Sequence, residues 1–174
     1  MKRKSKSILF AFALLICAVS TDTAFSQAVR KANKDTKNWR YEIECVGIGK
    51  EGTYLIKVWS YSKKPAVAMN QCKKNAVHGV IFQGFAGGGQ GCVSQKPLTN
   101  NPELEQEKAD FFENFFADGG KFMKYVGEAN DGEVNDRVKV GKEYKVGVIL
   151  TVMKDNLRKD LEAAGIIKKL DSGF

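Results

Sequence analysis

The sequence predicts an α+β fold: an antiparallel sheet built from two hairpins, with amphipathic helices packed on it as a second layer, in the order ββ-α-α-β-ββ-α or close to it. Three observations carry that expectation. WRYEIECV at 39–46 and the run from Glu143 to Met153 alternate apolar and polar residues, the period of a half-buried strand. YLIKVWSYS at 54–62 is dense in aromatic and β-branched residues and feeds directly into Pro65 and a helix-period apolar pattern. A second helical stripe gathers Phe111, Phe112, Phe115 and Phe116 on one side. Helices with a single apolar stripe need a sheet face to cover, which gives two layers.

Taken in order, residues 1–26 have the form of a cleaved signal peptide. Lys2, Arg3, Lys4 and Lys6 precede an apolar run from Ile8 to Val19, and Ala24-Phe25-Ser26 supplies a cleavage site. A membrane span needs about 20 apolar residues, so the run is too short for one. Cys17 raises lipidation as the alternative, although Ile16 stands where the processing enzyme needs a small residue. Cleavage would leave 148 of the 174 residues and lower the formal charge from +8 to +5, since the leader holds four Lys/Arg and one Asp. Residues 27–37 are polar and without period, a flexible N-terminus ahead of one domain at 38–174. The expected location is outside the cytoplasm, periplasmic or associated with the outer envelope, with no transmembrane span in the mature chain.

Tyr41, Ile43 and Cys45 share one face of the first strand. Gly47, Gly49 and Gly52 make the turn into the second, Thr53 to Tyr61, and the two should pair as a hairpin. Pro65 opens a helix to about Gln83, proline being suited to the first turn, and Gly84 stands where a C-terminal cap belongs. Ala68, Met69, Cys72, Ala76, Val80 and Ile81 form its apolar side, with Gln71, Lys74, Asn75 and His78 on the other. The stretch 85–102 is a long loop rich in Gly, Pro and Asn. A helix from Glu103 to Asp118 then buries Leu104 and the four phenylalanines. Lys121 to Val126 fits a short strand or a last helical turn. After a polar turn, Arg137 to Val140 and Glu143 to Met153 form the second hairpin, and Tyr144, Val146, Val148, Leu150 and Val152 share a face. Asp155 is expected to cap a last helix through about Ala164, with Leu157 and Leu161 inward.

The chemistry-bearing patterns are few. Gly47-x-Gly49-x-x-Gly52 has the lettering of a dinucleotide loop, but a period-two strand follows where a phosphate-binding helix terminus is required. The glycines at 84–91 leave a helix C-terminus, whose carbonyls repel anions. His78 is the single histidine and sits about 240° around the helix from Cys72, too far to act with it, and reads as a surface residue. One His and the three scattered cysteines left after cleavage offer no zinc spacing. The acidic turn Asp131, Glu133, Asn135, Asp136 lacks the glycine and the final glutamate of a calcium loop. Basic residues are dispersed among acids, unlike the stripe of a nucleic-acid binder. No catalytic residue, metal site, cofactor or nucleic-acid partner is therefore expected.

Export would place Cys45, Cys72 and Cys92 where disulfides persist. Cys45 and Cys72 both face inward by periodicity and are expected to be buried, with a bond between them left open, while Cys92 in the loop is expected to be accessible. The loop is the candidate binding element and, with few apolar residues, is expected to add little to the core. Two helices can be joined by about 2–8 residues, so its length points to contact outside the domain. Phe85 and Val93 are the candidate apolar anchors, Gln90 and Lys96 the polar ones.

The strand and alanine-bearing helix Val58-Trp59 through Pro65-Ala66-Val67-Ala68 to Asn75-Ala76-Val77, with the strand from Tyr144 and the following Asp155-Asn-Leu-Arg-Lys-Asp-Leu, resemble the small envelope lipoproteins grouped with the N-terminal module of the flagellar-assembly T protein. The resemblance implies no catalytic residues and a role in assembly with other envelope proteins. The expected function is that of an exported, non-enzymatic bacterial envelope accessory protein, with an envelope or outer-membrane protein as partner. The alternatives are a binding module for a cell-wall fragment, glycan or peptide, and an enzyme using Cys92 or an acidic pair.

Overall fold

The computed structural model describes residues 39–88, 91–129 and 136–170. The expected leader, the polar arm at 27–37 and most of the acidic turn lie outside them. Five antiparallel strands form one sheet: β1 Tyr41–Gly47, β2 Tyr54–Ser62, β3 Val126–Glu128, β4 Asp136–Val140 and β5 Glu143–Val152. β1 pairs with β2, β2 with β5, and both β3 and β4 lie along the far side of β5. The helices are α1 Pro65–Phe82, α2 Leu104–Glu107, α3 Ala109–Phe115 and α4 Lys154–Ala163, with a 3-10 turn at Lys121–Tyr125 leading into β3. The α+β class and the two hairpins are as expected.

Register explains the core. Ile43 pairs with Val58 and Val58 with Val148, so period-two alternation places Ile56, Val58, Val146, Val148, Leu150 and Val152 on one buried face. α1 lies on that face through Ala68, Cys72 and Ala76, small residues one helical turn apart. Phe112, Phe115, Phe116, Leu157 and Leu161 close the same core from the side. Each buried Phe or Leu contributes about 1.5–3 kcal/mol relative to exposure.

Four expectations about the helical layer change. α1 is buried almost all round, and its polar side chains Gln71, Lys74, Asn75 and His78 are inside rather than facing solvent. The helix runs through the middle of the layer, so its second face meets β1, Trp39 and α2. The helix expected at 103–118 is broken at Lys108 (φ −116°, ψ 36°) into α2 and α3. Asp155 does not cap α4, because Met153 holds the cap position and the Asp155 N–H donates to the carbonyl of Gly52.

The fourth concerns the loop, which was expected to add little to the core. Its two halves do different work. Phe85 and Gln95 form an isolated antiparallel bridge. Beyond it, the N–H groups of Leu98 and Thr99 donate to the carbonyls of Val80 and Ile81, which α1 itself leaves unpaired at its end. Gly84 makes the reversal possible: at φ +66° its N–H returns to Gly79, and a Cβ there would collide with the Gln95 carbonyl and the Lys96–Pro97 backbone. Leu98 and Phe85 pack against the core.

Candidate binding surface

The exposed half of the loop is tied to the sheet by a covalent bond. Cys45, near the end of β1, is joined to Cys92, with Cα atoms 5.8 Å apart. This answers the question left open for Cys45 and Cys72, which are not bonded to each other, and overturns the expected open thiol at Cys92. The register supplies the reason. Cys45 lies opposite Ile56, whereas the Cys72 thiol sits over the next pairs along, donating to the Val58 carbonyl at 3.2 Å and lying 3.3 Å from the Ser60 hydroxyl. Cys72 is fully buried, and desolvation pushes its thiol up to about 12. A buried thiol held protonated is a poor nucleophile.

Around the disulfide, the β1–β2 turn and the loop enclose a hollow of about 170 Å³. Ile48 from the turn and Val93 from the loop stand on its rim, 79 % and 69 % exposed. Ile48 also overlies Gly91, where a Cβ would lie 2.8 Å from its side chain. Val46, the residue added by the β-bulge between Cys45 and Gly47, is also exposed.

The candidate residues divide. Val93 is fully presented. Phe85 is half-buried, its ring edge-on to Tyr54 at 5.0 Å, so it supports the loop from beneath. Lys96 is exposed beyond the bridge, facing a different groove. Gln90 lies outside the described residues. Sequence reasoning missed Ile48, which reads as one apolar letter in a glycine turn. Its signal was present: an isoleucine flanked by Gly47 and Gly49 has no strand or helix to hide in.

His78 is the other residue that the structure moves to prominence. It is 6 % exposed, stacked against Trp39 at 3.5 Å between ring centroids, with Nδ1 2.7 Å from the Tyr41 hydroxyl and Nε2 3.2 Å from Glu105. Trp39 Nε1 donates to the same carboxylate at 3.0 Å. Hydroxyl, imidazole and carboxylate in a row have the connectivity of an activated nucleophile. Their environment works against that use. Burial, then the charge of Glu105, raises the Tyr41 phenol further from ionisation. Burial likewise lowers the imidazole, outweighing the hydrogen bond to Glu105. The network is a latch that joins β1, α1 and α2.

No protein-family model, curated protein or solved structure matches this chain.

The remaining surface of note is the second face of the sheet, which no helix covers among the described residues. Arg40 pairs with Glu143, Lys57 with Asp136, and Glu42 with both Tyr61 and Lys145. Lys57 and Lys145 place their ammonium groups 4.7 and 4.8 Å from the Trp59 ring centroid, and the indole lies over Gly147, where a Cβ would be 2.8 Å away. Each named cation already has its acid, so long side chains close this face. Among the described residues, no three His, Cys, Asp or Glu side chains converge as a metal site.

Proposed function

We propose that this protein is exported to the bacterial envelope and acts there as a non-enzymatic accessory protein, binding a protein partner through the rim formed by Ile48 and Val93. The observation that carries the proposal is the covalent tether beneath that rim. Two large aliphatic side chains stand in water on neighbouring segments, and a disulfide holds those segments together. Clustered exposed apolar groups mark interaction sites, and a loop already fixed loses less entropy on binding. The disulfide also supports an oxidising compartment. Among the described residues no helix is long and apolar enough to cross a membrane. The assembly role implied by the envelope-lipoprotein resemblance belongs to the same proposal.

The test is site-specific photocrosslinking in producing cells. A photoreactive residue at position 93 should give one discrete protein adduct, and Ile48→Asp should abolish it. The same residue at Lys139, exposed on β4, should give none. Equal adducts from both positions, or none from position 93, would refute the assignment.

A further inference from the structure

A separate groove of about 780 Å³ opens between the second half of the loop, residues 96–101, and the chain leaving α4, residues 166–170. Leu104 and Ile167, both buried, lie at its base, with Leu98 half-buried beside them. Leu170 stands at its edge, 74 % exposed. Lys96, Arg158, Lys168 and Lys169 also line it, and among the described residues no acidic side chain does. Arg158 uses one guanidinium N–H on Glu162 at 3.2 Å. The Lys96 and Lys168 side chains are exposed, and neither makes a hydrogen bond or ion pair among the described residues.

We propose that this groove binds a single-chain anionic amphiphile, an aliphatic carboxylate whose chain lies on Leu98, Leu104 and Ile167 and whose headgroup meets Lys96 and Lys168. The division of chemistry selects the ligand. A small hydrophilic anion would leave the apolar base in water, and a neutral hydrocarbon would leave Lys96 and Lys168 without a counter-charge. The volume falls in the range of about 300–1,000 Å³ usual for small-molecule sites. This function is independent of the Ile48–Val93 rim, which lies on the other half of the loop.

Calorimetric titration of the purified protein with octanoate, decanoate and dodecanoate, each below its micelle concentration, tests the proposal. Affinity should rise at each step, up to about fourfold per methylene where the chain is fully buried. Dodecyltrimethylammonium should bind at least tenfold more weakly than dodecanoate. The double variant Lys96→Glu/Lys168→Glu should lose at least tenfold for dodecanoate at an unchanged melting temperature, since both residues are exposed. Absence of dodecanoate binding overturns the proposal. So does equal binding of the cationic chain, or full affinity in the double variant.

Discussion

Removing the Cys45–Cys92 bond by Cys45→Ser/Cys92→Ser tests the tether directly. The bond closes a loop of 47 residues. In the loop-entropy relation, that length corresponds to about 4 kcal/mol of stabilisation at 25 °C, through restriction of the unfolded chain. With a urea m-value of about 2 kcal/mol/M, the unfolding midpoint should fall by about 2 M. For a chain of this size, the melting temperature should fall by roughly 8–16 °C. Trp39 and Trp59 sit at opposite sides of the sheet and make tryptophan fluorescence a suitable probe. Wild-type protein treated with reductant should unfold like the variant, which separates the cross-link from the substituted side chains. Under native, non-reducing conditions alkylating reagents should modify none of the three cysteines, since Cys72 is buried and its thiol is pushed up to about 12. A midpoint shift below about 0.5 M, or ready native labelling of Cys92, would refute the reasoning.

Two further outcomes are expected. The His78 imidazole is held low by burial, so the unfolded chain, with a pKa of about 6.5, takes up the proton first. Its contribution is therefore intact above about pH 6.5, is lost as pH falls from there toward the lowered folded value, and levels off below that. Tyr41, Lys74 and Glu105 surround the ring, so urea unfolding of wild type should be compared with His78→Gln between pH 8 and 5. Wild type should lose more stability than the variant over that range, and parallel curves would exclude the mechanism. Gly84→Ala and Gly119→Ala form a matched pair, because both glycines have positive φ but only Gly84 has backbone against its Cβ position. Gly119→Ala should cost about 1–2 kcal/mol of left-handed strain. Gly84→Ala should cost about 1–3 kcal/mol more, from crowding against residues 95–97. Equal losses in chemical denaturation would mean that the loop is not seated on the end of α1.

The sheet was legible in the sequence because period two is a local signal. Alternation in Glu143–Val152 names the buried face without reference to any other segment. Phe112, Phe115 and Phe116 were legible as core for a similar reason at helical spacing, whereas Phe111 on the same stripe is only half-buried. What could not be read was set by neighbours far along the chain. His78 looks like a surface residue until Trp39, Tyr41 and Glu105 arrive from residues up to 39 positions away. Ser60 and Asn75 are likewise polar letters inside the core, and they answer each other by a hydrogen bond of 2.8 Å. The cysteine pairing depended on a shift of two residues along β1, which the facing pattern cannot distinguish. The length of the loop is legible in the sequence, but only the contact with Val80 and Ile81 reveals which half caps the helix and which half stays outward.

β1 brings these threads together. It is an edge strand, so one row of its backbone groups is left without a partner strand within the sheet, an arrangement that invites pairing with another chain. The strand carries two devices that discourage it: Glu42 and Glu44 on one face, and the bulge between Cys45 and Gly47. It is also fastened at both ends. Trp39 holds a positive φ of 43°, a conformation that costs about 1–3 kcal/mol in a non-glycine residue. Its stacking on His78 and its bond to Glu105 offset that strain. At the other end the disulfide fixes the bulge against the loop. Two fastenings on one short strand exceed what a mere boundary of the sheet requires. They keep the Ile48 turn in a set position relative to Val93, as the proposed rim requires, and they leave the strand edge guarded.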